Sequence, residues 1–299
     1  MSRLNVWMRV VRAPFLSLVI IFVPVTLTMA WDRGYFNPLD AVLTFIGVLC
    51  LHASANTFNN YFDYKSGIDI VTTPTPFSGG SKVLANKELR PESVLKLASG
   101  LLAIGSIIGI YLSFIYGWVI VTLLLISAIS IYFYSMKLAS WGIGELFVGL
   151  NFGPLLSMGV YYVQARTMNL EPILIGTVLG ILTAGVLYIN EFPDYDVDKS
   201  KGRYHIIVRL GKERATKGFK VLIFSAYALI ILGVITQITP FITLIGLATF
   251  PLAIKASKIL DRNYNSPMAL IPGMASTIMC TLLTGIILVI TYLINGFFL

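Results

Sequence analysis

The stretch that decides how this chain is organised reads Asn59-Asn-Tyr-Phe-Asp63-Tyr-Lys-Ser-Gly67-Ile-Asp69. It closes a long apolar run, and polar or acidic side chains at the end of a membrane-length helix are costly enough to indicate a function. A second apolar run ends in a similar stretch, Asn190-Glu-Phe-Pro-Asp194-Tyr-Asp-Val-Asp198. Both stretches contain Asn-x-x-x-Asp followed by a further Asp. The pair therefore predicts one site that is built from two halves.

The composition is that of a membrane protein. The chain has 299 residues, of which 57% are hydrophobic and only 12% are charged, whereas soluble domains carry about 25% charged residues. Its two cysteines, Cys50 and Cys280, lie inside apolar runs. They indicate neither a disulfide framework nor a cysteine-based metal site.

Apolar runs of about 20 residues predict nine transmembrane helices and an all-α bundle. The predicted spans are 14–30, 39–62, 94–115, 118–136, 143–163, 171–190, 218–236, 239–256 and 268–297. The two acidic stretches follow the second and the sixth span, which suggests an internal duplication. We therefore expect a single integral-membrane domain, residues 1–299, with two pseudo-repeats at about 14–136 and 143–256 and a last helix at 268–297.

The distribution of charge predicts the orientation in the membrane. With the N-terminus in the cytoplasm, all but two of the 22 Lys and Arg residues fall on the cytoplasmic side, the exceptions being Arg33 and Arg166. This strong positive-inside bias predicts a multi-pass protein of the cell membrane with both acidic stretches on its cytoplasmic face. It also explains the net charge of +8 without a nucleic-acid partner.

Within each stretch, the Asn and Asp side chains are spaced four residues apart, as neighbours on one face of a helix are. Asn59 and Asp63 are four residues apart, so they share one face of a helix. Gly67 is expected to end that helix, and Asp69 is expected to fold back from the following loop. In the second stretch, Pro193 disfavours helical geometry at the preceding residue, so we expect a kink or a short new helix there.

Several carboxylates in one place repel one another, and a divalent cation removes that penalty. Oxygen ligands select Mg²⁺, Ca²⁺ or Mn²⁺, and Mg²⁺ typically binds through one or two carboxylates together with substrate phosphates. The cations Lys82, Lys201 and Arg203 follow the two stretches and could hold the remaining phosphate oxygens. The pattern therefore predicts binding of a lipid-like diphosphate at a membrane cavity. The alternative is two acidic patches that merely pair with basic loops.

Other positions are weaker candidates. Gly79-Gly80 allows close approach of the backbone to a ligand, and Lys82 can reach a phosphate, although such a loop is usually only a turn. Tyr134 and Lys137 end the fourth span on the same membrane face, and Arg12 precedes the first span. Lys137 and Arg12 could equally be anchors that follow the positive-inside rule.

The paired motifs and nine spans resemble the UbiA superfamily of intramembrane prenyltransferases, and the resemblance covers nearly the whole chain. Within that superfamily the sequence is most similar to the MenA branch, the 1,4-dihydroxy-2-naphthoate polyprenyltransferases. The stretches that carry this similarity are Trp141-Gly-Ile-Gly-Glu-Leu-Phe-Val-Gly-Leu, Gly159-Val-Tyr-Tyr-Val-Gln and Asp198-Lys-Ser-Lys-Gly-Arg203 with Val208-Arg-Leu-Gly211. The resemblance implies a helical bundle around a central cavity that opens laterally to lipid, and two Mg²⁺ ions that bridge the acidic clusters and a diphosphate.

The resemblance also assigns roles, residue by residue. Asp63, Asp194 and Asp198 would be the catalytic carboxylates. The metal ligands would be Asn59, Asp63, Asp69, Asp194 and Asp198. The diphosphate would be bound by Arg12, Asn59, Lys82, Tyr134, Lys137 and Asn190, together with Lys201 and Arg203 from the basic run. The chain departs from the family pattern at Asn60, where the family commonly has Asp, and at Asp69, which lies six residues after Asp63 instead of four.

The predicted function is Mg²⁺-dependent transfer of a polyprenyl group from an allylic prenyl diphosphate to a lipophilic aromatic acceptor of the menaquinone type. The first alternative is geranylgeranyl transfer to geranylgeranylglyceryl phosphate in ether-lipid synthesis. An alternative from another class is a secondary transporter or a lipid-binding scaffold. Transporters usually carry polar residues at the bilayer midplane in broken helices, whereas the acids of this chain lie at one face.

Overall fold

The computed structural model describes residues 2–134, 138 and 140–298, and the regular secondary structure of that part of the chain is helical throughout. The α-helices, in chain order, are α1 (Arg3–Val10), α2 (Ser17–Asp32), α3 (Pro38–Lys65), α4 (Ile68–Val71), α5 (Pro91–Tyr116), α6 (Trp118–Phe133), α7 (Gly144–Leu150), α8 (Leu156–Ala165), α9 (Leu170–Asn190), α10 (Tyr195–Ser200), α11 (Ile206–Leu210), α12 (Lys212–Ile235), α13 (Phe250–Asn263) and α14 (Pro267–Phe298). Two 3₁₀ segments, Ala13–Leu16 and Phe241–Thr249, lead into α2 and α13, and a π-helical segment, Asn151–Leu155, joins α7 to α8.

The helices match the spans expected from the sequence. Within the described residues, eight helical segments are long and apolar enough to cross a membrane, and α6 is a shorter apolar helix at the position of the predicted span 118–136. The chain is therefore a polytopic all-α membrane protein. Some boundaries differ, because α3 and α12 continue beyond the apolar run into polar turns that end at Lys65 and begin at Lys212.

The central helix of the bundle is α9, which is the most buried of the candidate spans. It packs against the α7–α8 segment on one side and against α12 and α14 on the other. Glycines allow the first of these contacts, because a Cβ atom on Gly180 would lie only 2.2 Å from the carbonyl oxygen of Gly149 and 2.9 Å from the Cα of Gly153. Small residues four apart on facing helices are the usual means of close helix packing in membranes.

The fifth span is broken in its middle, which the sequence analysis did not predict. Gly153 has non-helical backbone angles (φ −108°, ψ −111°), and Pro154 follows it inside the π-helical segment. Proline has no N–H to donate, so it removes one helical hydrogen bond. The side-chain NH₂ of Asn151 donates to the carbonyl oxygen of Phe147 at 2.8 Å. A broken helix at membrane depth is tolerated where it is buried in protein or lines a cavity.

A buried ion pair closes the end of the bundle opposite the acidic stretches. Glu171, at the start of α9, is 1% exposed. It accepts hydrogen bonds from Arg33 at 2.8 Å and from the Tyr292 hydroxyl at 3.0 Å. A buried carboxylate is costly without such partners. The hydrogen bonds to Glu171 also join the ends of α2, α9 and α14.

Candidate active site

A cavity of about 370 Å³ lies between α3, α5, α6, α8 and α9. Its deep part is lined by apolar side chains such as Leu112, Leu123 and Val163, while its mouth lies between the two acidic stretches. Most of the residues proposed from the sequence line it. They are Arg12, Asn59, Asp63, Asp69, Tyr134, Asn190, Asp194, Asp198 and Arg203.

Arg203 joins the two acidic stretches. One guanidinium nitrogen, Nη2, donates to Asp63 Oδ1 at 2.9 Å, and Nη1 lies 3.9 Å from Asp198 Oδ1. The Arg203 side chain is only 13% exposed. Burial by itself would lower the pKa of Arg203, but the carboxylates of Asp63 and Asp198 raise it. The guanidinium therefore stays charged and holds the two halves of the site together.

The backbone around the second stretch explains why its acids converge. Helix α9 ends at Asn190, and the new helix α10 begins after Asp194, as the position of Pro193 predicted. Asp198 lies one turn into α10 and is 3% exposed. The break between α9 and α10 thus places Asp194 and Asp198 at the wall of the cavity, which Asp63 of α3 also lines.

Two carboxyl groups of the site have raised pKa values. Burial, followed by the neighbouring charge of Asp63, raises the pKa of Asp69 to about 6. Burial, followed by the charge of Asp198, raises the pKa of Asp194 to about 7. Both shifts express the cost of placing anions together away from water, and a bound divalent cation would relieve that cost.

The oxygen atoms at the cavity mouth fit a magnesium ion. Within the described part of the chain, no hydrogen-bond partner exists for Asp69 Oδ2, Asn190 Oδ1, Asp194 Oδ1 or Asp198 Oδ1, although all four atoms are buried. Buried polar atoms are normally satisfied. A set of hard oxygen ligands that lacks protein partners is what Mg²⁺ binding requires.

The Gly79-Gly80 loop supports the carboxylates. Gly80 has a positive φ of 72°, and a Cβ atom on it would lie 1.8 Å from Asp69 Oδ1. The backbone of Gly79 donates to Asp194. The loop also lines the cavity, and its close approach to a ligand stays a prediction.

Asn60 has a structural role that explains why an amide occupies this position. Its NH₂ group donates to the carbonyl oxygens of Val10 at 2.7 Å and Asn56 at 3.0 Å. Its Oδ1 accepts a hydrogen bond from the Ser81 backbone at 3.3 Å. An aspartate could not donate these bonds. Asn60 therefore ties helix α1, and with it Arg12, to α3.

Two of the cations proposed from the sequence, Lys82 and Lys201, are not among the described residues that line the cavity. Lys82 donates to the backbone carbonyl oxygens of Asp69 and Thr72, so it holds α4 in place. Lys201 is exposed, and its amino group lies near Gly67 at the surface. Lys137 falls outside the described residues. Asp196, which had no assigned role, is exposed and pairs with Lys212 at 3.1 Å.

A second cluster, which the sequence motifs did not predict, lies behind Asp198. Glu145, Glu191 and His205 each offer one ligand atom, and these atoms all lie within 4.8 Å of one another. His205 Nε2 also lies 3.3 Å from Asp198 Oδ2. Burial, followed by the charge of Glu145, raises the pKa of Glu191 well above its ordinary value. A signal was available, because Glu145 and Glu191 are acids at the ends of apolar runs, as Asp63 is.

Comparison with known proteins gives a consistent result. The UbiA prenyltransferase family matches residues 19–277 of the chain. The chain is 27% identical to the 1,4-dihydroxy-2-naphthoate octaprenyltransferase of Escherichia coli, over 97% of this chain and 95% of that one. It is 28% identical to the Bacillus subtilis protein of the same name, over 92% of this chain and 89% of that one.

The fold is also similar to that of solved structures. A UbiA homolog from Archaeoglobus fulgidus, solved bound to GPP and Mg²⁺, superposes with a TM-score of 0.62. The alignment covers 95% of this chain and 99% of that chain, at 17% identity. At this identity the likeness establishes the fold alone.

Proposed function

Because the chain belongs to the UbiA prenyltransferase family and is therefore a membrane-embedded prenyltransferase, we propose that it prenylates a dihydroxynaphthoate-like acceptor. A polyprenyl group would move from an allylic prenyl diphosphate to a ring carbon of that acceptor, and diphosphate would be released. The observation that carries the proposal is the convergence of two acidic stretches, joined by Arg203, on the mouth of an apolar cavity. The acceptor class rests on the similarity to two dihydroxynaphthoate prenyltransferases over nearly the full length of the chain.

We further propose that the acidic stretches bind Mg²⁺, with two ions, one for each stretch. Asn59, Asp63 and Asp69 would hold one ion, and Asp194 and Asp198 would hold the other. The buried oxygens without hydrogen-bond partners in the described residues support this assignment. When bound, Mg²⁺ would neutralise the charge that develops on the departing diphosphate.

The residues of the chain itself would bind and isolate the substrate. The guanidinium groups of Arg12 and Arg203, both at the cavity wall, would bind diphosphate oxygens, and Asn190 and Tyr134 would donate hydrogen bonds to them. The apolar cavity would hold the prenyl chain and exclude water while the bond between C1 and oxygen breaks. The allylic carbon would then bond to the acceptor ring, which afterwards loses a proton.

The charges of the cavity favour an aromatic acceptor over a glyceryl phosphate. An acceptor with its own phosphate would require cations in addition to those that bind the diphosphate. Among the described lining residues, the only Lys or Arg side chains are Arg12 and Arg203.

The transporter alternative does not fit a chain that belongs to an enzyme family. The positive-inside distribution further supports a site that faces the cytoplasm.

A product assay tests the function. Purified full-length protein in detergent is incubated with radiolabelled geranylgeranyl diphosphate and Mg²⁺, and with either 1,4-dihydroxy-2-naphthoate or geranylgeranylglyceryl phosphate. We expect a prenylated naphthoate product that disappears on addition of EDTA and returns with excess Mg²⁺. Product formed only with the glyceryl phosphate would contradict the acceptor assignment.

The role of Arg203 gives a second prediction. Arg203→Lys replaces a guanidinium group, whose two nitrogens lie near Asp63 and Asp198, by a single ammonium group. Lysine does not substitute for arginine at sites where two nitrogens are used. We expect KM for the prenyl diphosphate to rise by about tenfold, which corresponds to the loss of one charge-assisted hydrogen bond. Steady-state kinetics with varied prenyl diphosphate would measure this change.

Lys199→Gln is the matched control for that experiment. Lys199 lies four residues before Arg203 and carries the same charge, but it is exposed and lies near the Tyr195 ring. Its KM for prenyl diphosphate should stay within about twofold of the wild-type value, as expected for a surface charge. Arg203→Lys keeps the positive charge, so a KM within about twofold of the wild-type value in that variant would show that charge at position 203 suffices and that the bridge does not determine binding.

A further inference from the structure

The cavity wall contains a histidine at membrane depth that the chemistry above does not use. His52 lies in α3, is 7% exposed and lines the cavity. Its Nδ1 is buried and has no hydrogen-bond partner in the part of the chain that the structure describes. Its ring packs edge-on against Phe152, with 4.5 Å between ring centroids. An ionisable side chain in the membrane interior is costly, so its position indicates a function.

Two amide side chains accompany His52 at the cavity wall. Asn56 follows one turn later on the same face of α3, and Asn151 directly precedes Phe152 in the π-helical segment. Each amide uses its NH₂ group to hold the backbone. Asn56 donates to the Val11 carbonyl at 2.9 Å, and Asn151 donates to the Phe147 carbonyl at 2.8 Å. Because each of these bonds uses one of the two N–H groups of the amide, the groups that remain for a ligand are the two amide oxygens, the second N–H of each amide and the imidazole.

We propose that His52, with the amide oxygens of Asn56 and Asn151, binds the hydroxyl groups of the acceptor ring. This inference rests on the proposed function and identifies how the acceptor is recognised. Amide oxygens accept hydrogen bonds only, and a neutral imidazole has one accepting nitrogen. The set is complementary to a ring that carries hydroxyl donors. A fully ionised phosphate group offers only acceptors, so it could not form hydrogen bonds with the two amide oxygens.

The position of His52 along α3 would place the acceptor ring close to the allylic carbon of the prenyl diphosphate. His52 lies seven residues before Asn59, which is about 10 Å along the helix axis. A bicyclic ring with one hydroxyl at His52 would extend from there toward the diphosphate end of the cavity. Hydrogen bonding of the hydroxyl to His52 would also make the ring more electron-rich, which favours attack on the allylic carbon.

The test is a comparison of His52→Leu, His52→Gln and a control, Thr44→Val. Leucine fills a similar volume without polar atoms, whereas glutamine restores a donor and an acceptor. Thr44 is also a buried cavity-wall residue of α3 whose hydroxyl has no partner in the described residues, but it lies two turns farther from the acidic stretches. We expect His52→Leu to raise KM for 1,4-dihydroxy-2-naphthoate by about tenfold or more, with KM for prenyl diphosphate within about twofold. His52→Gln should recover part of the loss, and Thr44→Val should leave KM for 1,4-dihydroxy-2-naphthoate within about twofold of the wild-type value.

A methylated acceptor isolates the hydroxyl contact without depending on any variant. In the wild-type protein, the inhibition constant of the dimethoxy analogue should be at least about tenfold higher than the dissociation constant of the acceptor. In His52→Leu that difference should shrink, because the contact is already lost. Unchanged acceptor KM in His52→Leu, or equal binding of the methylated analogue by the wild type, would overturn the subsite while leaving the prenyltransferase function intact. Absence of prenyl transfer to any aromatic acceptor by the wild type would instead overturn the proposed function.

Discussion

Asp63→Asn is expected to lower kcat by at least about 100-fold, because it removes a carboxylate on which both halves of the site depend. Asp63 is the partner of Arg203 at 2.9 Å and, as proposed, a ligand of the first metal ion. Asparagine preserves the shape of the side chain but not the charge, so the geometry would survive while electrostatic stabilisation of the departing diphosphate would be lost. The measurement is the rate of prenyl transfer at saturating Mg²⁺ and substrates.

Asp196→Asn is the matched control for this prediction. Asp196 belongs to the second acidic stretch and carries the same charge, but its side chain is 81% exposed and pairs with Lys212 at 3.1 Å. Its kcat should stay within about twofold of the wild-type value, since exposed ion pairs contribute little. A folded Asp63→Asn protein with full Mg²⁺-dependent activity would contradict the proposed role of the acidic stretches.

Gly180→Ala should have the largest effect on stability. The added methyl group would lie 2.2 Å from the Gly149 carbonyl oxygen and 2.9 Å from the Gly153 Cα. Both obstacles are backbone atoms, so helix α9 would have to move away from the α7–α8 segment. Overpacking of this kind costs about 3 kcal/mol, which would lower the apparent unfolding temperature by roughly 5–10 °C. Thermal unfolding of the purified protein in detergent would measure the shift.

Gly100→Ala serves as the control for the packing argument. Gly100 lies in α5, and a Cβ atom on it would meet nothing within 4 Å. Alanine has the higher helix propensity, so we expect no loss of stability and a gain of up to about 1 kcal/mol. Similar destabilisation by both substitutions would show that helix packing at Gly180 is not the cause.

Hydropathy alone was sufficient to locate the apolar helices, of which eight segments in the described part of the chain are long enough to cross a membrane, while the count of nine spans stays a prediction. Each of the predicted runs corresponds to an apolar helix in the described part of the chain, because backbone groups in lipid must be satisfied within a helix. The same reasoning did not predict the break at Gly153 and Pro154. Whether a proline terminates, kinks or bulges a transmembrane helix depends on the side chains and helices that surround it. Here the backbone of α9 lies close to Gly153.

The residues of the candidate site were only partly predictable. Asp63 and Asp194 could be identified because an acid at the end of an apolar run is unusual wherever the chain folds. The cations were harder to assign, because basic residues follow both stretches for reasons of membrane orientation alone. Arg203 enters the cavity wall, whereas Lys82 turns to the carbonyl oxygens of Asp69 and Thr72. The division into two pseudo-repeats and the cytoplasmic location of the N-terminus stay predictions.

The class of protein, its apolar helices and the two acidic stretches could be recognised from the amino-acid sequence, since these follow from local composition and spacing. Which side chains share one cavity depends instead on contacts between residues that are far apart in the sequence. The bridge from Arg203 to Asp63 joins residues 140 positions apart, and the contact between His52 and Phe152 joins two different helices. Such contacts depend on how helices pack in three dimensions, and that packing is set by many side chains at once instead of by any local pattern.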